Sequence, residues 1–324
     1  MKNKILIVLG DPNSINSEIF FKVWKKIKNI DKERIFLIGN YELIKSQFRK
    51  LKFSSKLIKL NKLNHNLKSN KIKIIDVKLK FQNPFKVNYK QASVYVKKSL
   101  NLAHSLGEKR EILGIINCAI NKTLLSNKNI GVTEYLAKKC NLKRNSEVML
   151  IGNDKLFVCP ITTHLNLKDV SRKINKKIII HKVKLINSFY KKFYKIKPRI
   201  GILGLNPHNA ELRNNSEEIK EIFPAIKHLI SKGIKISGPL VSDTIFISDY
   251  KKYDVIVGMY HDQVLAPFKT LYKFNAINIT LGLSYLRVTP DHGTAVDLIL
   301  KNKANPESLE RCVKYLKKFE NEIS

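Results

Sequence analysis

Three of the eight histidines stand in dense polar blocks: T-T-H-L-N-L-K-D-V around His164, G-L-N-P-H-N-A-E around His208 and M-Y-H-D-Q around His261. Imidazoles brought together from three loops suit a divalent metal ion and leave coordination positions open for substrate oxygens. Their wide spacing matches no local metal signature, and each histidine alone reads more readily as a hydrogen-bonded structural residue. Other polar groups share the span. Asp243, in G-P-L-V-S-D-T, is a candidate acid or a helix cap after a turn marked by Gly238 and Pro239. Asp262 is a candidate for orienting a metal-bound imidazole or relaying a proton. Lys269 is a cation near the His261 block, although a solvated lysine is the plainer reading. Arg287 belongs to an otherwise apolar stretch, N-I-T-L-G-L-S-Y-L-R, and a buried guanidinium needs an anionic partner. In D-H-G-T-A-V-D, Asp291 to Asp297, Gly293 opens a predicted helix start whose N–H groups could receive a phosphate or cradle an adenosine, or simply be capped.

Short apolar runs of strand length must position these groups. Ile5–Leu9, Ile35–Ile38, Ile72–Val77, Ile112–Ile116, Val148–Ile151, Ile178–Ile180, Ile200–Leu203 and Val255–Val257 are predicted strands, several without polar alternation, as in strands covered on both faces. Helices are predicted between them: over Ser17–Ile27, over Gln91–Leu106, and over Glu217–Lys232 with a kink or break at Pro224. The alternation argues for an α/β fold with a largely parallel sheet, in which ligands gather at the carboxyl ends of strands. No G-x-G-x-x-G fingerprint, Walker loop or G-x-S-x-G elbow occurs.

The 324 residues, 44% hydrophobic and 27% charged, can bury one large core or two medium ones. A formal charge of +35 invites a nucleic-acid reading, yet the positive charge is nearly all scattered lysine. Phosphate recognition favours clustered arginine, so a lysine-coated surface with weak polyanion binding at low salt is expected, with no specific nucleic-acid partner. A non-catalytic polyanion-binding protein is the distant rival. The Lys/Asn-rich stretch from Lys50 to Lys80 reads as a structured surface region. Cys118, Cys140, Cys159 and Cys312 form no C-x-x-C pair and read as buried thiols of a reducing compartment. No apolar run approaches a membrane span, and a soluble, cytoplasmic protein is expected.

Taken in order, the blocks resemble the 4-hydroxythreonine-4-phosphate dehydrogenase family of vitamin B6 (pyridoxine 5'-phosphate) biosynthesis. They are G-D-P at Gly10–Pro12, N-K at Asn121–Lys122, T-E at Thr133–Glu134, T-T-H, G-L-N-P-H, G-P-L-x-x-D-T, Y-H-D-Q, N-I-T-L-G-L and D-H-G-T-A. The resemblance implies a three-layer α/β/α, two-domain fold like the isocitrate and isopropylmalate dehydrogenases, without a Rossmann fingerprint. We expect a first domain over 1–122 plus 298–324 and a second over 123–297, which carries the metal ligands and dimer interface, with the active-site cleft between them. It implies a homodimer with His164, His208 and His261 as metal ligands, one of them from the partner subunit. It further implies substrate contacts from Thr133, Lys269, Asn278 and Arg287, and cofactor contacts from His292, Gly293 and Ala295. NAD or NADP and one divalent ion (Zn, Mg or Co) are the implied cofactors. The implied activity oxidises 4-phosphohydroxy-L-threonine to a β-keto acid that decarboxylates to 3-amino-2-oxopropyl phosphate. Two departures from the pattern occur, one at Val132 and one in the first loop. Val132 stands where the family has a substrate-contacting histidine, a lost hydrogen bond worth roughly 1.5–3 kcal/mol. Ser14 and Asn16 replace two glycines of the first loop, where serine would meet strain if a positive φ were required. A paralogue acting on another phosphorylated four-carbon hydroxy acid is therefore the alternative.

Overall fold

The computed structural model describes residues 4–125, 131–142, 146–273 and 275–320. Twelve strands occur among them: β1 Ile5–Val8, β2 Ile35–Gly39, β3 Leu57–Leu60, β4 Ile72–Asp76, β5 Gly114–Asn117, β6 Val148–Gly152, β7 Phe157–Pro160, β8 Ile200–Leu203, β9 Ile236–Leu240, β10 Val255–Gly258, β11 Ile277–Leu281 and β12 Arg287–Pro290. The chain divides into two compact units, Met1–Leu142 with Leu283–Ser324, and Lys143–Gly282. The boundaries expected at 122 and 298 therefore move to 142 and 283. The physical reason is that the Val132–Lys139 helix packs on the Tyr89–Glu108 helix, while β12 pairs with β5.

In the first unit the strand order is β3-β4-β2-β1-β5-β12, and every pairing is parallel. Leu6, Val8, Phe36 and Ile38 join a core cluster with Ala92, Tyr95, Val96 and Leu100 of the Tyr89–Glu108 helix. Their neighbours Ile5, Ile7, Ile35 and Leu37 point the other way and are equally buried. Both faces of the sheet are thus covered, as continuous apolar runs require, and the α/β reading holds. The Lys/Asn-rich stretch contains the edge strand β3 and its neighbour β4. Its lysines are exposed except Lys73, which is fully buried beside Ile72, Ile74 and Ile75, donates to the carbonyls of Lys32 (2.7 Å) and Ser69 (2.8 Å), and is pushed down to about 8 by burial.

In the second unit the order is β11-β6-β7-β10-β8-β9; β6 runs antiparallel to both neighbours, and β7, β10, β8 and β9 are mutually parallel. Two expectations change here and a third holds. Ile178–Ile180, read as a strand, opens the Lys176–Phe193 helix, because Asn175 caps it by accepting from Ile178 N–H and Ile179, Val183, Ile186 and Tyr190 form one buried helical stripe. Gly238 and Pro239 lie inside β9 instead of marking a turn; β9 ends its sheet order, where proline is tolerated, and its register with β8 shifts at this point. The 217–232 segment breaks at Pro224 as expected: a π-turn, Glu218–Ile222, gives way to an α-helix, Phe223–Ser231, that takes Pro224 into its first turn. No helix among the described residues is long and apolar enough to cross a membrane. Cys118, Cys159 and Cys312 are buried as expected, whereas Cys140 is only half-buried.

Candidate functional site

The three histidines follow the carboxyl ends of three adjacent parallel strands. His164 comes after β7, His208 after β8 and His261 after β10, which pairs with both. Thr162 donates its N–H and its hydroxyl (2.7 Å) to the Met259 carbonyl, clamping the β7 loop to the β10 loop. The His164 and His261 rings consequently lie 5.8 Å apart, centroid to centroid. His261 opens the His261–Tyr272 helix, and its Nδ1 is 2.6 Å from Asp262 Oδ1. That contact fixes the ring and turns Nε2 into the nitrogen available to a metal. His208 is exposed on its own loop, and no group of three containing these histidines has all its ligand atoms within 4.8 Å among the described residues of one chain.

The β8 loop is held in an unusual shape. His208 to Leu212 all have φ between 48° and 57°, a left-handed run that costs non-glycine residues about 1–2 kcal/mol each. Two residues that the sequence did not single out offset this. Glu218, fully buried, accepts from the N–H groups of Leu205 and Asn206, both at 2.8 Å. Burial works to raise its pKa, but these bonds and that from the Asn206 side chain bring it below the usual carboxylate range. Asn209 donates to the Pro239 carbonyl at 3.0 Å, and a side chain at Gly204 would collide with Asn209 Oδ1. Gln263 ties the remaining loops together. It accepts from Met259 N–H (2.6 Å) and donates to the Gly204 carbonyl (2.7 Å) and Ser242 Oγ (2.8 Å). Asp243 is exposed in the first turn of the four-residue helix Ser242–Ile245; Val241 occupies the cap position, so the cap reading fails. Lys269 is exposed on the outer end of the His261–Tyr272 helix. Asn278, in β11, has a buried Oδ1 without a hydrogen-bond partner among the described residues, as a ligand contact would leave it.

In the first unit, Arg287 is buried at the start of β12. Its Nε donates to Asn117 Oδ1 at 2.6 Å and its Nη1 to Thr133 Oγ1 at 2.9 Å. Burial pushes the guanidinium down to about 10, so it stays charged at neutral pH. Asn117, at the carboxyl end of β5, was invisible in the sequence because its partner lies 170 positions away. Thr133 is in the first turn of the Val132–Lys139 helix; Val132, next to it, packs against the apolar core. The first loop needs glycine only at Gly10, where φ is 74° and a Cβ would sit 2.8 Å from the Ala119 carbonyl. Ser14 and Asn16 do not have positive φ, so the strain expected of them is absent. Instead they fasten the loop: Ser14 Oγ donates to the Asp11 carbonyl (2.6 Å), and Asn16 donates to those of Leu9 (2.6 Å) and Ala119 (2.8 Å).

The 291–297 block does not begin a helix. Ala295 is left-handed (φ 43°), and only the three-residue turn Val296–Leu298 follows. Ile15 N–H donates to the Thr294 carbonyl, which joins this block to the first loop. His292 donates from Nδ1 to the Gly293 carbonyl (2.9 Å), while its Nε2 is buried without a partner among the described residues. Burial pushes the imidazole below its ordinary pKa. A neutral ring whose bare nitrogen awaits a donor, beside the open backbone of Gly293, fits a nucleotide cofactor. The all-imidazole donor set with a carboxylate behind His261 fits a divalent metal.

These features define an α/β protein with the fold of known dehydrogenases. A solved 4-hydroxythreonine-4-phosphate dehydrogenase from Klebsiella pneumoniae superposes with a TM-score of 0.86 at 27% identity, covering 98% of this chain and 100% of that one. A 4-hydroxythreonine-4-phosphate dehydrogenase from a Sulfurihydrogenibium species is 38% identical over 314 residues, 94% of each chain. A D-threonate 4-phosphate dehydrogenase from Pectobacterium atrosepticum is 34% identical over 245 residues, 74% of each. Residues 31–316 match the family described as pyridoxal phosphate biosynthetic protein PdxA, and the chain belongs to that family.

Proposed function

We propose that the chain is an NAD(P)- and divalent-metal-dependent dehydrogenase that oxidises 4-phosphohydroxy-L-threonine at its C3 hydroxyl. The β-keto acid formed loses CO2 to give 3-amino-2-oxopropyl phosphate, a step in making pyridoxine 5'-phosphate. The observation that carries this reading is the convergence of the β7 and β10 loops, clamped by Thr162, which sets His164 beside His261. When bound, the divalent ion polarises substrate oxygen and the nicotinamide accepts a hydride. His164, His208 and His261 would hold the ion, with one imidazole supplied by the partner subunit of a homodimer. The distribution of these three ligands within one chain supports a shared site.

The remaining roles belong to the chain's own side chains. Asp262 holds the His261 ring through Nδ1. Arg287, braced by Asn117 and Thr133, offers a preset cation to an anionic group of the substrate, and Lys269 and Asn278 add a charge and an amide. His292, Gly293 and Ala295 receive the nucleotide portion of the cofactor. Asp243, exposed and close in sequence to Ser242, which Gln263 holds, is the residue through which the hydroxyl proton would leave. The test is reduction of NAD+ or NADP+ by purified protein with added metal and 4-phosphohydroxy-L-threonine. Absence of metal-dependent turnover would remove the reading.

A second substrate is favoured by one feature. Val132 is packed on the core and offers no hydrogen bond where the family has histidine. D-threonate 4-phosphate, the substrate in the name of the Pectobacterium relative, is therefore the comparison to run in parallel. A higher kcat/KM for it would transfer the assignment to that acid.

A further inference from the structure

A second cluster of ligating side chains lies in the first unit, away from the three histidines in sequence. His104 and Glu108 are one turn apart on the Tyr89–Glu108 helix and therefore share a face. Cys140 ends the Val132–Lys139 helix opposite them. Its Sγ is 3.9 Å from His104 Nδ1 and 3.7 Å from Glu108 Oε1, and one ligand atom from each of the three lies within 4.8 Å of the others. A tetrahedral zinc ion with bonds of about 2.3 Å to sulfur and about 2.0–2.1 Å to nitrogen or oxygen places such atoms about 3.6 Å apart. The two distances to sulfur need only a few tenths of an ångström of contraction, and the His104 and Glu108 side chains, on one helix face, close the third side by rotation.

The surroundings are built to hold these groups. Ser284 Oγ donates to Glu108 Oε1 and is 3.7 Å from Cys140 Sγ. Tyr285 places its hydroxyl 3.2 Å from His104 Nδ1, and its ring lies where a side chain at residue 107 would be; Gly107 is what admits it. The cluster is half-buried at His104 and Cys140 and open at Glu108, which leaves a path for an ion.

We propose that His104, Glu108 and Cys140 form a second divalent-metal site, for a zinc-class ion, with the fourth position taken by Ser284 Oγ or water. Thiolate and imidazole select borderline ions over Mg2+. Binding displaces the Cys140 proton to solvent and joins three segments: the Tyr89–Glu108 helix, the Val132–Lys139 helix and the 284–285 turn. Those last two segments carry Thr133 and lead into Arg287, so the ion would stiffen the bracing of that guanidinium.

The test uses the full chain stripped of metal and titrated with Co2+. A thiolate-to-cobalt charge-transfer band in the near ultraviolet is expected, its final amplitude matching one thiolate-bound Co2+ per chain beyond the Co2+ taken by the three histidines. Cys140→Ser should abolish it, and Glu108→Gln should weaken Co2+ binding by about tenfold or more. The three-histidine site contains no thiol, so this band and a failure of the dehydrogenase reading are separable. In the unaltered chain, excess Zn2+ should slow alkylation of Cys140 by iodoacetamide, followed by mass spectrometry. No band, a band that survives Cys140→Ser, or equal alkylation rates with and without Zn2+ would overturn the proposal.

Discussion

Glu218 shows how one carboxylate can shape a loop it does not belong to. With two backbone N–H groups and the Asn206 amide on it, its pKa is lower folded than unfolded. Its stabilisation is therefore fully present above the unfolded value and is lost as pH falls through the folded one. Glu218→Gln should cost about 1.5–3 kcal/mol at neutral pH and flatten the acid limb of a melting-temperature profile. An unchanged profile would show that the β8 loop keeps its shape by other means. Arg287 makes the complementary point about charge. Lysine cannot reproduce a fork that engages Asn117 and Thr133 together, so Arg287→Lys should raise KM for a phosphorylated substrate about tenfold or more with a smaller change in kcat. Of these residues, Arg287 was legible because arginine is scarce and its neighbours apolar. Glu218 and Asn117 were not, since their significance rests on partners that only the folded chain brings near.

At the scale of elements, the decisive device is a set of loops hung from adjacent parallel strands and laced by Gln263. Removing its amide in Gln263→Ala strands Met259 N–H, the Gly204 carbonyl and Ser242 Oγ. Each orphaned group costs about 1–3 kcal/mol, so metal affinity and kcat/KM should fall together, about 10- to 100-fold, in metal titrations and steady-state assays. A drop in kcat/KM with metal affinity intact would assign Gln263 to substrate instead. Gln263 was quoted within Y-H-D-Q, yet nothing local revealed that it reaches across to the β8 and β9 loops. The strand runs around it were readable because buried parallel strands are uninterrupted Ile/Val segments. The same rule misread Ile178–Ile180: three isoleucines cannot distinguish a strand from the first turn of a helix until Val183, Ile186 and Tyr190 extend the stripe. Strands β3, β7, β9, β11 and β12 carry polar, aromatic or proline residues that mask that signal.

For the whole molecule, a charge of +35 belongs to a lysine-rich exterior, while Lys73 and Lys182 show that a few lysines are drawn inside. The chain should be retained on a polyanionic resin at low salt and released steeply as salt rises, without a preferred nucleic-acid sequence. Tight, sequence-selective binding at physiological salt would contradict it. The division into two units was anticipated but its boundaries were not, because β12 and the Val132–Lys139 helix join the first unit through contacts remote in sequence. If His164, His208 and His261 hold one catalytic ion, His208→Ala removes a ligand without touching the core. The variant should keep the circular dichroism and melting curve of the parent, lose the histidine-bound ion, and give no metal-dependent NAD(P)H absorbance with either phosphorylated acid. A folded His208→Ala protein that turns over at the parental rate would contradict the account.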